Sequence, residues 1–239
     1  MSKRHMTLVE LLVVIFIIAL LAGLLLPTLA SSQNKAKGIY CVQNLKQLAL
    51  AMNSYASDSS GLFPRYNYAM GSGPYWFGYG NGGGYYDLTR NQILGDYLSN
   101  CAAVVVCPTV RGFIPDLRAA DATGYGYNGC WLGGYNGLPT PKMSMLRHPS
   151  ATIAFADAAA APMGTYTYSQ MLWPKRRPGE TVSHLVKTFH FRHGRTSSAA
   201  WVDGHVSAEK LSGLREASFH GGDIGDIIHA ADNAIFDLD

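Results

Sequence analysis

Charge is scarce in this chain. Asp, Glu, Lys and Arg make up 15% of its 239 residues, where about 25% is usual for a soluble domain. That deficit argues against a highly charged cytosolic surface, and a hydrophobic content of 48% excludes a disordered chain. The formal net charge of +3, from 19 basic and 16 acidic residues, is too small to make nucleic acid the expected partner. Signatures of chemistry are missing as well. No Walker A loop, G-x-S-x-G elbow, H-E-x-x-H helix or C-x-x-C pair occurs. Cysteines number only four, enough for two disulfides in three possible connectivities.

The apolar residues that are present are concentrated at one end. Leu11 to Leu26 is sixteen consecutive residues without a polar side chain. Carried back to Met6 the run is twenty-one residues, broken only by Thr7 and Glu10. As a helix it reaches roughly 30 Å, the thickness of a bilayer's hydrocarbon core. The basic flank Lys3-Arg4-His5 keeps the N-terminus cytoplasmic, so the bulk of the chain crosses the membrane. A cleaved secretory signal is the rival reading, and Ala30-Ser31-Ser32 offers it a weak cleavage site. Glu10 speaks against that rival: a carboxylate at the head of an apolar helix costs a few kcal/mol in a membrane unless it meets a cation, and a signal peptide gains nothing from it.

The order Met6-Thr7-Leu8-Val9-Glu10-Leu11-Leu12 after a short basic leader resembles the class III signal of type IV prepilins and type II secretion pseudopilins. The resemblance implies a prepilin peptidase cut between His5 and Met6, methylation of the new amine, and a Glu10 that neutralises the amine of a neighbouring subunit. Gly usually precedes the cut in that family. His5 stands there in this chain, which leaves open processing by a tolerant peptidase or an unprocessed, membrane-anchored monomer. Pro27 also matches the pilin pattern and is expected to kink the helix.

Beyond Pro27 the chain turns amphipathic. Cys41, Leu45, Leu48, Met52 and Tyr55 are spaced 4, 3, 4 and 3, one stripe on a helix. Ser57-Asp58-Ser59-Ser60-Gly61 supplies breakers and Phe63-Pro64 an extended exit. The expectation is one helix from about Met6 to about Ser57, its first half in lipid or a filament core and its second half packed on a head. The chain then divides into a leader at 1–5, a membrane or filament-core segment at 6–30, an amphipathic helix segment at 31–60 and a head at 61–239.

The 26 glycines and 14 tyrosines point to a loop-rich head containing β-structure. The segment Cys41-Val42-Gln43-Asn44-Leu45-Lys46-Gln47-Leu48 through Phe63-Pro64 resembles a large pilin-like family of diderm bacteria, whose C-terminal signature is His, nine residues, Asp-Gly. His193 followed by Asp203-Gly204 has that form. Val104-Val105-Val106-Cys107-Pro108, Tyr125-Gly126-Tyr127-Asn128 and Ala154-Phe155-Ala156-Asp157 agree with it. The fold implied is α+β: a long N-terminal helix on an antiparallel sheet with long loops.

Asp203-Gly204 also has a local explanation. The β-prone runs Thr196 to Val202 and His205 to Ala208, joined by two residues, predict a type I′ hairpin. In that register Trp201 faces Val206 and Ala199 faces Ala208 on a buried side, with Val202 and His205 on the other. His193 is expected to bond the hairpin backbone or pack on Trp201. A second arrangement gathers His190, His193, Asp157 and Asp203 around Zn²⁺, or holds calcium through Asp157, Asp203 and loop carbonyls. No cofactor is the leading expectation. Exported cysteines meet an oxidising space, and Cys41 and Cys107 are the two shared with the family. They are expected to pair with each other or to bridge to Cys101 and Cys130, with free buried thiols as the other reading.

Three segments are less specific. Gly71 to Tyr86 holds seven glycines and six aromatics in sixteen residues, read as a glycine-rich insertion loop with partly buried rings, or as a stacking surface for sugars or a neighbouring subunit. Lys175-Arg176-Arg177 reads as a solvated loop. His220 to Asp239, with five aspartates, reads as a short acidic amphipathic helix.

The function expected is structural, not enzymatic: a single-pass inner-membrane subunit with a periplasmic head, processed by prepilin peptidase and assembled with like subunits into a type IV pilus or secretion pseudopilus. The alternatives are a membrane-tethered binding module that does not polymerise and a metal-dependent hydrolase built on His190, His193, Asp157 and Asp203.

Overall fold

The computed structural model describes residues 7–66, 72–81, 86–88, 92–99, 101–111, 123–134, 139–160, 167–168, 172, 189–211, 215–219 and 222–225. It is α+β. Among the described residues one α-helix, α1 (Leu8–Asp58), precedes twelve strands: β1 (Ser72–Tyr75), β2 (Gly78–Asn81), β3 (Tyr86–Asp87), β4 (Tyr125–Tyr127), β5 (Ile153–Asp157), β6 (Ala159–Ala160), β7 (Thr167–Tyr168), β8 (Phe189–Phe191), β9 (Thr196–Trp201), β10 (Val206–Lys210), β11 (Arg215–Phe219) and β12 (Gly222–Gly225).

Helix α1 has 51 residues, about 76 Å at 1.5 Å per residue. It begins at a capping box. The Thr7 hydroxyl accepts from the Glu10 N–H at 3.3 Å, and the Glu10 carboxylate accepts from the Thr7 N–H at 2.8 Å. Glu10 thus has a partner within its own helix. The helix continues on both sides of Pro27. Just beyond, the Thr28 hydroxyl donates to Leu25 O at 2.8 Å and the Ser32 hydroxyl to Thr28 O at 2.9 Å, so both polar side chains are satisfied by the helix itself. Large apolar side chains from Leu8 to Leu29 are 47–78% exposed. The helix is long and apolar enough to cross a membrane. It ends as the breakers predict, with Ser60 and Gly61 at φ of 56° and 84°.

The second half packs. Cys41, Leu45, Leu48, Ala49, Ala51, Met52 and Ala56 are buried, while Tyr55 is only partly so. The stripe is wider than the four-three spacing implied because alanines flank it and let the helix lie close to the sheet. That sheet is antiparallel in the order β10-β9-β5-β4. Asn44 Nδ2 donates to Tyr125 Oη at 3.3 Å and Asn53 Nδ2 to Val202 O at 3.1 Å, pinning the helix at both ends of the contact.

Strand β9 is buried on both faces. Ala200 and the adjoining Val202 belong to the core beneath α1, whereas Ala199 and Trp201 pack with Ile153, Leu172, Phe189 and Phe191. The period-two alternation therefore feeds two cores, not one buried and one exposed side. Behind it stands a second antiparallel sheet, in the order β11-β12-β8. Strand β12 pairs with β8 and β11, so the start of the acidic tail is extended, not helical. Glycine at both ends of that strand disfavours a helix, and pairing on both edges satisfies its backbone. Residues 226–239 lie outside the described residues.

The Asp203-Gly204 hairpin differs from the two-residue expectation. Ala200 pairs with Val206 and Ala199 with Ser207. Gly204 N–H donates to Trp201 O at 2.9 Å, and Trp201 N–H to His205 O at 2.9 Å. This is a three-residue loop of Val202, Asp203 and Gly204. Gly204 has φ 94°, but Asp203 is not among the positive-φ residues, so the turn is type I with a glycine bulge and not type I′. The one-residue shift reassigns faces: His205 stacks on Trp201 with ring centroids 5.4 Å apart, and Val202 enters the core.

The glycine- and aromatic-rich segment is also corrected where described. Ser72 to Asn81 is a β1–β2 hairpin, not an irregular loop. Tyr75, Trp76 and Phe77 are buried, and Trp76 lies 5.2 Å from Phe155 between ring centroids. These three rings are core and cannot stack on a sugar. Gly78 is needed at the bend, since a Cβ there would stand 2.7 Å from Asp87 O.

Candidate functional site

Four donor groups meet where α1, the loop after residue 100, β5 and the β8–β9 turn converge. Cys41 comes from the buried stripe of α1. Cys107 is held by its N–H donating to Thr123 O at 2.8 Å. Asp157 closes β5, opposite Tyr125 of β4. His193 sits in the tight turn from β8 to β9, where His193 and Thr196 exchange backbone hydrogen bonds at 3.1 and 3.2 Å. Gly194 and Arg195 turn the chain there with φ of 64° and 68°. The ligand-type atoms of Cys41, Cys107, Asp157 and His193 all lie within 4.8 Å of one another.

His193 Nε2 is 3.5 Å from Asp157 Oδ2 and 3.9 Å from Cys107 Sγ. Its other nitrogen, Nδ1, faces α1 at Gly38, where a Cβ would stand 3.6 Å away. Both sulfur and carboxylate thus address the same ring nitrogen. A nucleophile–base–acid relay needs them on opposite nitrogens of the ring, so this is not a catalytic triad. It is convergence on one point.

Arg192 completes the cluster. Its Nη2 lies 2.5 Å from Asp157 Oδ1, with both side chains buried, at 2% and 0% exposed. The same guanidinium donates to Gly124 O, and its Nη1 lies 3.0 Å from His190 Nδ1. The second Asp157 oxygen accepts from the Ser198 N–H at 2.8 Å. Burial alone would push the Asp157 carboxyl up, but the Arg192 charge, His193 and the Ser198 N–H hold it below the ordinary carboxylate range. Burial pulls His193 down, and the adjacent Asp157 outweighs it and raises the imidazole to about 9. Burial likewise raises the Cys107 thiol. The Cys41 S–H, Arg192 and His193 reverse that and hold Cys107 well below the usual thiol range. Cys41, the hydrogen-bond donor of the pair, is pushed up.

His193 and Arg192 also form part of the wall of an open cleft of about 950 Å³, whose opposite side is α1 at Lys35, Gly38 and Val42. The cluster is therefore buried but within reach of solvent on one side.

Of the residues singled out from sequence, Asp157 and His193 come together as one candidate set proposed. Asp203 and His190 do not join them. Asp203 is at the far end of β9, where its Oδ1 bonds His205 Nδ1 at 2.6 Å. Asp157 lies beside Ser198, nearer the start of that strand, so five residues of extended chain separate the two carboxylates. The structure therefore does not bring Asp157 and Asp203 together. His190 is buried on the far side of Arg192. All four cysteines are thiols: Cys41 and Cys107 lie side by side in the cluster, Cys101 is exposed and Cys130 buried elsewhere. His5, Met6 and Lys175 to Arg177 lie outside the described residues. Arg192 was missed by the sequence reading; its signal was a cation between Phe191 and His193 at the end of an apolar strand. Of the segments quoted above for a resemblance, those around Cys41, Cys107, Tyr125, Asp157 and His193 converge here, whereas Asp203-Gly204 does not. Compared with known proteins, the chain matches no family, no curated protein and no solved structure.

Proposed function

We propose that the chain is a pilin-like structural subunit, held in the inner membrane by the first half of α1 with its head in the periplasm, and polymerised through that helix. One observation carries this reading: a single unbroken helix presents a bare apolar half and buries the stripe of its second half in the head. A discarded signal would need no rigid continuity with the fold. A polymerisation rod does, because the head must follow the helix from lipid into a filament.

In lipid the bare half is already satisfied, so moving it into a bundle of like helices exchanges one apolar environment for another with little net gain. Polar groups then set the register. Glu10 is occupied by Thr7 within the monomer. Assembly would trade that capping bond for the amine of an adjacent Met6, freed by prepilin peptidase. The test is Glu10→Leu in cells making the full chain. The protein should still insert but fall in sheared or cross-linked polymer, and unchanged polymer yield would refute the role of Glu10.

A second reading rests on His5 in place of Gly before the cut. An uncleaved chain would remain a membrane-tethered monomer, with the head free to bind a surface ligand. Mass spectrometry of the mature N-terminal peptide separates the two: a methylated Met6 supports the subunit, an intact Met1 the tethered module.

A further inference from the structure

We propose that Cys41, Cys107, Asp157 and His193 are the four ligands of a structural Zn²⁺ ion that fastens helix α1 to the head. The inference is independent of whether the chain polymerises.

Every donor is of a type zinc takes: two sulfurs, one imidazole nitrogen and one carboxylate oxygen, the carboxylate standing where a Cys2His2 site has its second imidazole. Two thiolates select a borderline-soft ion such as Zn²⁺ over calcium, which takes six to eight oxygens. The geometry agrees. With Zn–S of about 2.3 Å and Zn–N or Zn–O of about 2.0–2.2 Å, the donors of a tetrahedral site stand roughly 3.3–3.8 Å apart. His193 Nε2 is already 3.5 Å from Asp157 Oδ2 and 3.9 Å from Cys107 Sγ. No pair of the four exceeds 4.8 Å, so closing on an ion needs a contraction of at most about 1.5 Å.

The surroundings are those of a ligand set held in place. Asp157 would use Oδ2, while its Oδ1 is engaged by Arg192. Outer hydrogen bonds of that kind orient a ligating carboxylate and fix which oxygen faces the metal. The buried charge also closes: two thiolates and one carboxylate are balanced by Zn²⁺ and the Arg192 guanidinium, so no net charge is left in a largely buried site. The cleft beside His193 supplies an entry path. Four protein ligands leave no open position for a substrate, which makes the ion a clamp and not a hydrolytic centre. The clamp joins parts of the chain far apart in sequence: the helix, the loop before Pro108, the end of β5 and the β8–β9 turn.

A Cys41–Cys107 disulfide is the competing use of the same two sulfurs, and a direct measurement separates them. The full chain, extracted in detergent from its own membrane without reductant, is assayed for zinc by elemental analysis and for free thiols by alkylation and peptide mapping. The expected result is one zinc per chain and no Cys41–Cys107 crosslink. Exchange for Co²⁺ should produce thiolate-to-cobalt charge-transfer bands. Those bands should be lost in Cys107→Ser and His193→Ala and kept in Cys101→Ser, whose site is exposed and outside the cluster. A Cys41–Cys107 disulfide in the extracted protein would overturn the proposal. So would failure of the wild-type chain, reduced and given ZnCl₂, to retain zinc through dialysis. Neither of these readouts depends on a variant folding.

Discussion

Replacing Asp157 by asparagine removes a charge without changing shape, and the structure sets what that should cost. The carboxylate is fully buried and lies 2.5 Å from an Arg192 side chain that is 2% exposed. It also accepts from the Ser198 N–H at 2.8 Å and faces the His193 ring at 3.5 Å. An asparagine keeps one acceptor oxygen and adds an N–H₂ among groups that are themselves donors. Arg192 is then left as a buried cation without its carboxylate partner, and His193 loses the group that held its proton against burial. Breaking a buried pair from one side costs about 3–5 kcal/mol. In a protein of 150–250 residues that corresponds to a fall in Tm of about 6–20 °C. The assay is thermal or urea unfolding of the full chain in detergent with EDTA present, so that no bound ion contributes. The double variant Asp157→Leu, Arg192→Met removes both charges and should recover part of the loss, because neither member of the ion pair is then left as an uncompensated buried charge. A cost below about 1 kcal/mol for Asp157→Asn, the value of a solvated surface pair, would refute the buried ion pair and with it the packing of β5 against the β8–β9 turn.

Three further outcomes test the helix and the hairpin. Leu48→Ala, at a side chain buried completely beneath α1, should lower stability by about 2–5 kcal/mol, whereas Leu50→Ala, 67% exposed one turn-face away, should move the urea midpoint hardly at all. Gly204→Ala should cost about 1–2 kcal/mol, because φ 94° is strained for any residue with a Cβ, although the nearest atom, Asn53 Nδ2 at 3.6 Å, leaves room for the methyl group; a neutral result would disprove the bulged turn. Gly78→Ala should be worse despite an ordinary φ, since its Cβ would stand 2.7 Å from a backbone carbonyl oxygen, and near-normal unfolding of that variant would show that the β1–β2 bend is misassigned.

Local pattern was enough for the long elements. A run of sixteen apolar residues, a stripe spaced at 4 and 3, and the Ser-Asp-Ser-Ser-Gly stop placed α1 to within two residues of each end, because those signals act over a few turns of helix. The hairpin was visible too, but its register was not. Two- and three-residue loops share the Asp-Gly signal, and the choice turns on whether Asp203 adopts a positive φ, which packing of Val202 into the core decides. The aromatics Tyr75, Trp76 and Phe77 read as partly buried rings of a loop because glycines surround them; only the fold shows that they are wholly core and that Trp76 packs beside Phe155.

The candidate site was legible as parts. His193 and Asp157 were named as possible ligands and Cys41 and Cys107 as a possible pair, yet nothing in their order joins the two ideas, since 152 positions separate the first and last of the four. Side-chain direction and strand register decide which of several histidines and aspartates reach one point, and both are long-range properties: His190 and Asp203 fail by a few residues of extended chain. What the amino-acid order determined alone is the membrane-length helix, its amphipathic continuation and the β character of the head, all consequences of hydrophobic period and turn chemistry. What only the tertiary structure decided is that helix, loop, strand and turn bring two thiols, an imidazole and a carboxylate together beside a buried guanidinium, because that meeting depends on how the sheet packs across α1.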